Sequence, residues 1–515
     1  KRYVNFMNNP DERTAVDQFG KGDKYFGICT MLATLPGLPM FGHGQIEGFT
    51  EKYGMEYRRA YWDEHPDADL VSRHERQIFP LLKKRYLFAE AEHFWLFDFY
   101  TSQGHVNEDV FAYTNQARGE HALIVYHNRY ATTDGWVRTS CAALRKDPQN
   151  GKKLLVQIPI AEALDISNQP NMFTLFRDQI SGLQYLIPNQ KVWESGLFFH
   201  LNAYQCHVFS EFQQIHDTSD GLYRRLAEKL GYTGILDIEK AKLELLLQPI
   251  HTALQEILNP GQINWLIQHR SCPNQRPKPE EIEACLDEVK TKLIGLERQI
   301  SIFIQKESVS EKFTERIIPR LRYLLENTNK IFNNDLTEQL CQPDITQWYI
   351  LLGWVFCSQL GAIETTTEKD IATISTRWLE DWQLTRIIID AAQAMQQPDE
   401  NIDRIVQIIQ LLIRYANLEA FFQSEDTVIE NLKKWSEDKT FHNLIKVNVY
   451  QDIAWFNKEA MEEWLLWVES ILRFEIKSSY PASETQLDWL NKLEDCFKSF
   501  RQRVALSQYQ LDKLF

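Results

Sequence analysis

Val4-Asn5-Phe6-Met7-Asn8-Asn9-Pro10-Asp11-Glu12-Arg13 opens on a short apolar run and breaks into a polar cluster. A second such passage follows at Leu35-Pro36-Gly37-Leu38-Pro39-Met40-Phe41-Gly42-His43-Gly44-Gln45-Ile46-Glu47. Residues 4–7 read as a strand, and so do residues 39–42, which open into a glycine-rich loop. Between them residues 24–35 read as an apolar helix, stopped by Pro36-Gly37. Beyond them Leu70, Ile78, Leu81, Leu82 and Leu87 mark one or two helices over residues 69–91. Strand, helix, strand, helix is the rhythm of a parallel α/β fold. In such folds the carboxyl ends of the strands face the active site, so polar residues placed there are candidates for chemistry. The alternative for Asp11 is a helix N-cap ahead of Thr14-Ala15-Val16.

The stretch from Gly37 to Gly48 holds four glycines, Gly37, Gly42, Gly44 and Gly48. They permit close backbone approach. His43, Glu47, Tyr53, Glu56, Tyr57, Arg58 and Arg59 crowd the same loop, read either as a polar cleft wall or as a loop with internally paired charges. Arg58 and Arg59 are expected to pair with Glu51 and Glu56. Trp62, beside Tyr61 and Asp63, is a candidate for stacking a sugar. Gly42-x-Gly44 is not a dinucleotide fingerprint, because the spacing continues wrongly.

Downstream the reading changes. Residues 94–100, 110–113, 122–127, 136–140, 173–176, 185–187, 196–200 and 204–209 are short aromatic or β-branched runs between turn residues. Their spacing points to an antiparallel sandwich. Fourteen of the 21 glycines lie in residues 1–220 and none follows Gly361, so the C-terminal stretch reads as helical. Ile238, Ala241 and Leu245 share a helical face up to a break or kink at Pro249. Ile250, Leu254, Ile257 and Leu258 continue as a second helix, which Pro260-Gly261 would end. Asn457 is placed to cap a helix with Met461, Trp464, Leu465, Val468 and Ile471 on one face. Trp464 and Trp467 read as core, and residues 447–452 as a packed turn.

Composition narrows the function. The chain has 515 residues and a net charge of −15, which opposes binding to nucleic-acid backbone or an anionic membrane. No apolar run reaches the roughly 18 residues of a membrane span. None of the eight cysteines has metal-ligand spacing, and thiols without a framework point to a cytoplasmic setting. No metal or cofactor is expected. There is no HExxH, phosphate-binding loop or nucleophile elbow. Residues 1–11 carry neither the apolar core of a signal peptide nor an initiator Met, so the chain is expected to start inside a domain.

In order, these parts resemble the end of the catalytic barrel of the α-amylase family of glycoside hydrolases. The family's seventh barrel strand has the form Phe-Val-x-Asn-His-Asp, here Phe6-Met7-Asn8-Asn9-Pro10-Asp11 with Arg13 after it. Its last strand is Leu-x-Gly-x-Pro before a Tyr-Gly-x-Glu loop, here the passage from Leu35 to Glu47. Arg76-Gln77-Ile78-Phe79-Pro80-Leu81-Leu82-Lys83-Lys84-Arg85 resembles the closing helix. Strands like 110–113 and 123–128 follow it in the family.

The resemblance implies a multidomain α+β protein with the end of a (β/α)8 barrel over residues 1–92, an antiparallel β-sandwich over 93–217, and a large all-α domain over 218–515. It implies that Asp11 stands where the family has its third catalytic carboxylate, which steadies the transition state. Asn9, Arg13, His43, Glu47 and Tyr53 would bind substrate, an α-linked glucan or oligosaccharide. Pro10 replaces the family's substrate-binding His. The nucleophile and general acid belong to earlier barrel strands, and retaining glycosidases need two carboxyl groups about 5 Å apart. This chain alone is therefore expected to be inactive, with the missing N-terminal barrel portion as its partner. The alternative is a non-catalytic carbohydrate-binding or scaffold protein on a degenerate barrel, which Pro10 and the helical tail favour.

Overall fold

The computed structural model describes residues 3–52, 58–146, 152–272, 276–306, 311–332, 334–342, 346–424, 426–480 and 483–514. It is a mixed α+β chain with two compact units, Lys1–Leu245 and Leu246–Phe515.

The first unit begins with β1 (Val4–Phe6), α1 (Ala15–Phe19), α2 (Asp23–Thr34) and β2 (Leu38–Met40). β1 and β2 pair in parallel, with Val4 opposite Leu38 and Phe6 opposite Met40. This is the strand–helix–strand unit expected from the sequence. Three short helices follow where one or two were expected: α3 (Ala68–Gln77), α4 (Phe79–Lys83) and α5 (Arg85–Phe88). The Arg85 guanidinium donates to the carbonyls of Ala33 (2.7 Å), Leu35 (2.9 Å) and Gly37, tying the end of α2 to the start of β2. These are free carbonyls at a helix end, which need donors.

Next come β3 (Trp95–Thr101), β4 (Val110–Ala117), β5 (Glu120–His127), β6 (Thr133–Ser140), β7 (Ala143–Lys146), β8 (Lys153–Val156), α6 (Ile160–Ala163), β9 (Met172–Asp178), β10 (Gln184–Pro188), α7 (Asn189–Ser195), β11 (Leu197–Leu201), β12 (Cys206–His216) and α8 (Leu222–Leu230). Eight of these strands form one antiparallel sheet in the order β10-β9-β12-β5-β4-β3-β6-β11. The expected sandwich of two facing sheets is instead this single sheet, curled so that both ends share a core. Ile187 of β10 and Leu197, Phe199 and Leu201 of β11 join Leu123 and Val125 of β5 in that cluster. β7 and β8 form a separate hairpin that was not foreseen.

β5 explains the arrangement. Its run from Ala122 to Tyr126 is fully buried, and alternate side chains enter opposite cores. Leu123 and Val125 point to the inside of the curl, while Ala122 and Ile124 meet the helices. A strand covered on both faces needs such a continuous apolar run. Each fully buried aliphatic side chain contributes about 1.5–3 kcal/mol. The second core also holds Met7, Tyr25, Phe26, Leu70, Ile78 and Leu87, so residues on both sides of position 92 share it. Gly27 lets α2 approach the sheet, because a Cβ there would meet the Tyr126 ring at 2.0 Å.

α9 (Ile238–Ile257) leads into the second unit, which is helical apart from one hairpin. Pro249 breaks nothing: it lies inside α9. Ile250, Leu254 and Ile257 behind it are buried, and that burial outweighs the roughly 3 kcal/mol penalty of a helical proline. The preceding helix ends at Ile257, just before Pro260-Gly261 as expected, and the same pair also starts α10 (Pro260–Gln268), with Asn259 accepting from Gln262 N as its cap. Asn457 caps the helix Lys458–Ser479 as expected, accepting from Ala460 N at 2.9 Å. Trp464 and Trp467 are buried in it. Residues 447–452 are not a packed turn but part of a hairpin, Asn448–Tyr450 against Ile453–Trp455, with Gln451 and Asp452 at positive φ. Cys272 and Cys341 form a disulfide, which removes part of the premise for a reducing compartment. No helix among the described residues is long and apolar enough to cross a membrane.

Candidate active site

The parallel pair places two loops side by side. Residues 7–13 leave the carboxyl end of β1, and residues 41–49 leave that of β2. Gly42 is required where they touch, because a Cβ there would come within 2.6 Å of the Asn8 side chain. Gln45, buried beneath, accepts from Gly42 N at 3.0 Å and donates to Met7 Sδ at 3.2 Å. Above this floor is a small cleft lined by Asn8, Asn9, Pro10, His43, Glu51 and Lys52, among others. Asn8 Oδ1 and Thr14 Oγ1 are buried there without a hydrogen-bond partner among the described residues. Unpaired buried acceptors are costly, and a ligand hydroxyl or a water would satisfy them.

Asn9 and His43 are thus brought together. Asp11 sits beside them, exposed, with its backbone fixed twice: its N–H donates to Asn9 Oδ1 at 2.9 Å and its carbonyl accepts from Lys52 Nζ at 3.0 Å. Asp11 is not a helix cap. The N-cap of α1 is Thr14, and it makes no side-chain capping bond. Arg13 is exposed and turned to Asp17 at 3.8 Å. Tyr53 lies outside the described residues, as do Glu56 and Tyr57.

Glu47 stands apart from the cleft. Its charge acts on two buried groups that sequence reading passed over, Tyr25 and His74. Tyr25 OH donates to the Gln45 carbonyl at 2.8 Å and lies 2.9 Å from His74 Nε2. With the Tyr25 proton committed, His74 Nε2–H donates to Tyr25, and Nδ1 is left without a partner. Burial pushes His74 down to about 4, against a smaller upward pull from Glu47. Burial likewise pushes the Tyr25 hydroxyl up. The pair is a neutral polar strut beneath the loop.

Two glutamates tie the loop over the cleft. Glu64 accepts from Thr50 N (2.7 Å), Thr50 Oγ1 (2.6 Å) and Glu51 N (2.9 Å). Partial burial pushes its carboxyl up, but these bonds outweigh that and hold it below the usual range. Glu51 accepts from the backbone N–H of Tyr61 (2.7 Å) and Trp62 (3.1 Å), so its partners are not those expected among the arginines. Trp62 is exposed. A glutamate followed at a distance by an acceptor-poor turn gives no sequence signal for such bonds.

No family model and no curated protein matches this chain. Among solved structures it is similar to an α-amylase from Geobacillus thermoleovorans complexed with acarbose, at 13% identity and TM-score 0.27 over 41% of this chain and 39% of that one. It is similar to a cyclomaltodextrin glucanotransferase with a three-domain ABC distribution, at 15% identity and TM-score 0.28 over 41% and 37%. For a maltogenic α-amylase from Thermotoga neapolitana the figures are 13%, 0.26, 41% and 41%. The chain spans about two fifths of the length of these structures. The relation is a distant one of shape.

Proposed function

We propose that this chain is the C-terminal part of an α-amylase-like glycoside hydrolase acting on α-linked glucans or oligosaccharides by a retaining mechanism. The modular reading is a barrel end at 1–92, a β domain at 93–217 and a helical domain at 218–515. The observation that carries it is the β1–β2 pair. Its outward residues Val4, Phe6, Leu38 and Met40 are all exposed, although they are apolar. Parallel strands are normally buried on both faces, and two strands alone are marginal in water. Further parallel β/α units covering this pair would bury those side chains. They would also bring a nucleophile and a general acid to the carboxyl ends, where Asn9, Asp11 and His43 already stand.

In that site Asp11 is the third carboxylate. It holds sugar hydroxyls and steadies the positive charge of an oxocarbenium-like transition state. Asn9, Arg13, His43, Glu47 and Tyr53 bind substrate, and Trp62 stacks a sugar ring at the rim. Pro10 favours a second reading, a carbohydrate-binding protein on a decayed barrel, since proline has no side-chain donor for a sugar hydroxyl. The test is direct. The 515-residue chain incubated with maltooligosaccharides releases no reducing ends, because one carboxylate cannot perform a double displacement. Turnover that survives purification, and is lost on changing a residue outside 1–92, overturns the proposal.

A further inference from the structure

The inside of the curled sheet opens into a cavity of about 350 Å³ that the proposed glycosidase site does not use. This is within the range of small-molecule pockets, which favour the mouths of barrels. Its walls are aromatic. Tyr185 and Phe209 meet edge to face at 5.4 Å, Phe199 stacks on Phe209 at 5.4 Å, and Phe198 and Tyr232 lie 5.3 Å apart at the rim. Three polar side chains, His200, Gln205 and His207, line it around the turn from β11 to β12.

His207 links the aromatic wall to a buried carboxylate. Its ring stacks on Phe209 at 5.2 Å, and its Nδ1 lies 3.0 Å from Asp178 Oδ2. Asp178 is fully buried and also accepts from Ser181 Oγ (2.6 Å), Val208 N (3.0 Å) and Ile180 N (3.2 Å). Burial pushes the Asp178 carboxyl up, but His207 and the other donors outweigh this and hold it below the usual range. An ionised carboxylate only accepts, so Nδ1 carries the hydrogen and Nε2 is the atom left for a ligand. A buried carboxylate held by hydrogen bonds is a weak stabilising device compared with apolar packing. One placed beside an aromatic cavity is a binding feature.

We propose that this cavity binds a planar aromatic molecule bearing a hydroxyl group, with the ring against the Tyr185–Phe209–Phe199 wall, Tyr232 at the rim and the hydroxyl on His207 Nε2. A phenolic hydroxyl both donates and accepts, so it matches the imidazole whether Nε2 is protonated or not. A sugar fits worse. Its hydroxyls surround the ring, and those facing Phe and Leu side chains would be buried unpaired.

The test is equilibrium dialysis of the intact chain against 2-naphthol, with 2-methoxynaphthalene and maltotriose as comparison probes. The expected result is one saturable site for 2-naphthol, weaker binding of the methyl ether, and no displacement by maltotriose. Tyr232→Ala and His207→Gln each weaken 2-naphthol binding by at least about tenfold. Tyr232 is half-buried at the rim, so its truncation leaves the sheet folded even where His207→Gln does not. Absence of saturable 2-naphthol binding, affinity unchanged in Tyr232→Ala, or displacement by maltotriose overturns the assignment.

Discussion

β5 and β1 are both short apolar strands, yet their surroundings are opposite. In β5 the residues Ala122 to Tyr126 are fully buried between two cores. In β1, Val4 is 52% exposed and Phe6 43%, and across the pair Leu38 is 63% exposed. In the antiparallel sheet each interior strand has two neighbours, and both faces of β5 are covered. The parallel pair has one strand beside one strand, with apolar side chains in solvent. This exposed pair is also the one whose loops carry Asn9, Asp11 and His43. The proposed function accounts for this bare surface next to a polar cleft by further barrel units.

The largest effects fall on the antiparallel side. Leu123→Ala is expected to cost about 2–5 kcal/mol of unfolding free energy, as core truncations do. Phe6→Ser is expected to change it by no more than about 0.5 kcal/mol, as at a surface position. Urea unfolding measures both, and similar losses from the two would erase the contrast. Asp178→Asn comes next, at about 1–3 kcal/mol, since it disturbs a buried acceptor serving five donors. A variant as stable as its parent would show that the carboxylate is not a structural hub.

His74 gives a pH signature beneath the loop-bearing segment. Its folded pKa, about 4, lies below its unfolded value, so the unfolded chain binds more protons between the two. Stability is therefore complete above about pH 6.5 and declines as pH falls toward 4. His74→Gln should flatten that part of the profile, and an unaltered slope would remove His74 as its cause. The smallest effect is Trp62→Ala, within about 0.5 kcal/mol, because the ring is exposed.

Much of this contrast was legible in the residues. All eight strands of the sheet were visible as aromatic and β-branched runs, whereas burial of β5 on both faces was not read from its apolar run. What the runs do not encode is partner choice, so two facing sheets and one curled sheet look alike along the chain. Pro249 misled because local chemistry is read without packing: it sits on a helix whose buried face holds it together. Pro260 marked a helix end correctly, and its place as an N1 proline behind Asn259 also begins the next helix. Cys272 and Cys341 are 69 residues apart, a separation that no spacing rule connects. At the cleft the loops were legible from their glycines and polar residues. The Tyr25–His74 strut was not, because each residue sits in an ordinary helix and only the fold brings them together.

The central proposal, that the tips of β1 and β2 carry part of a glycosidase site, is tested most directly by Asp11→Asn in a protein that includes the proposed preceding barrel units. The change is isosteric, and Thr14, not Asp11, occupies the N-cap of α1, so fold and melting temperature should stay as they are. The account predicts a fall in oligosaccharide turnover of about 10²–10³-fold, the usual loss when a group that stabilises developing charge is removed. An active parent whose Asp11→Asn variant keeps its full rate would contradict it.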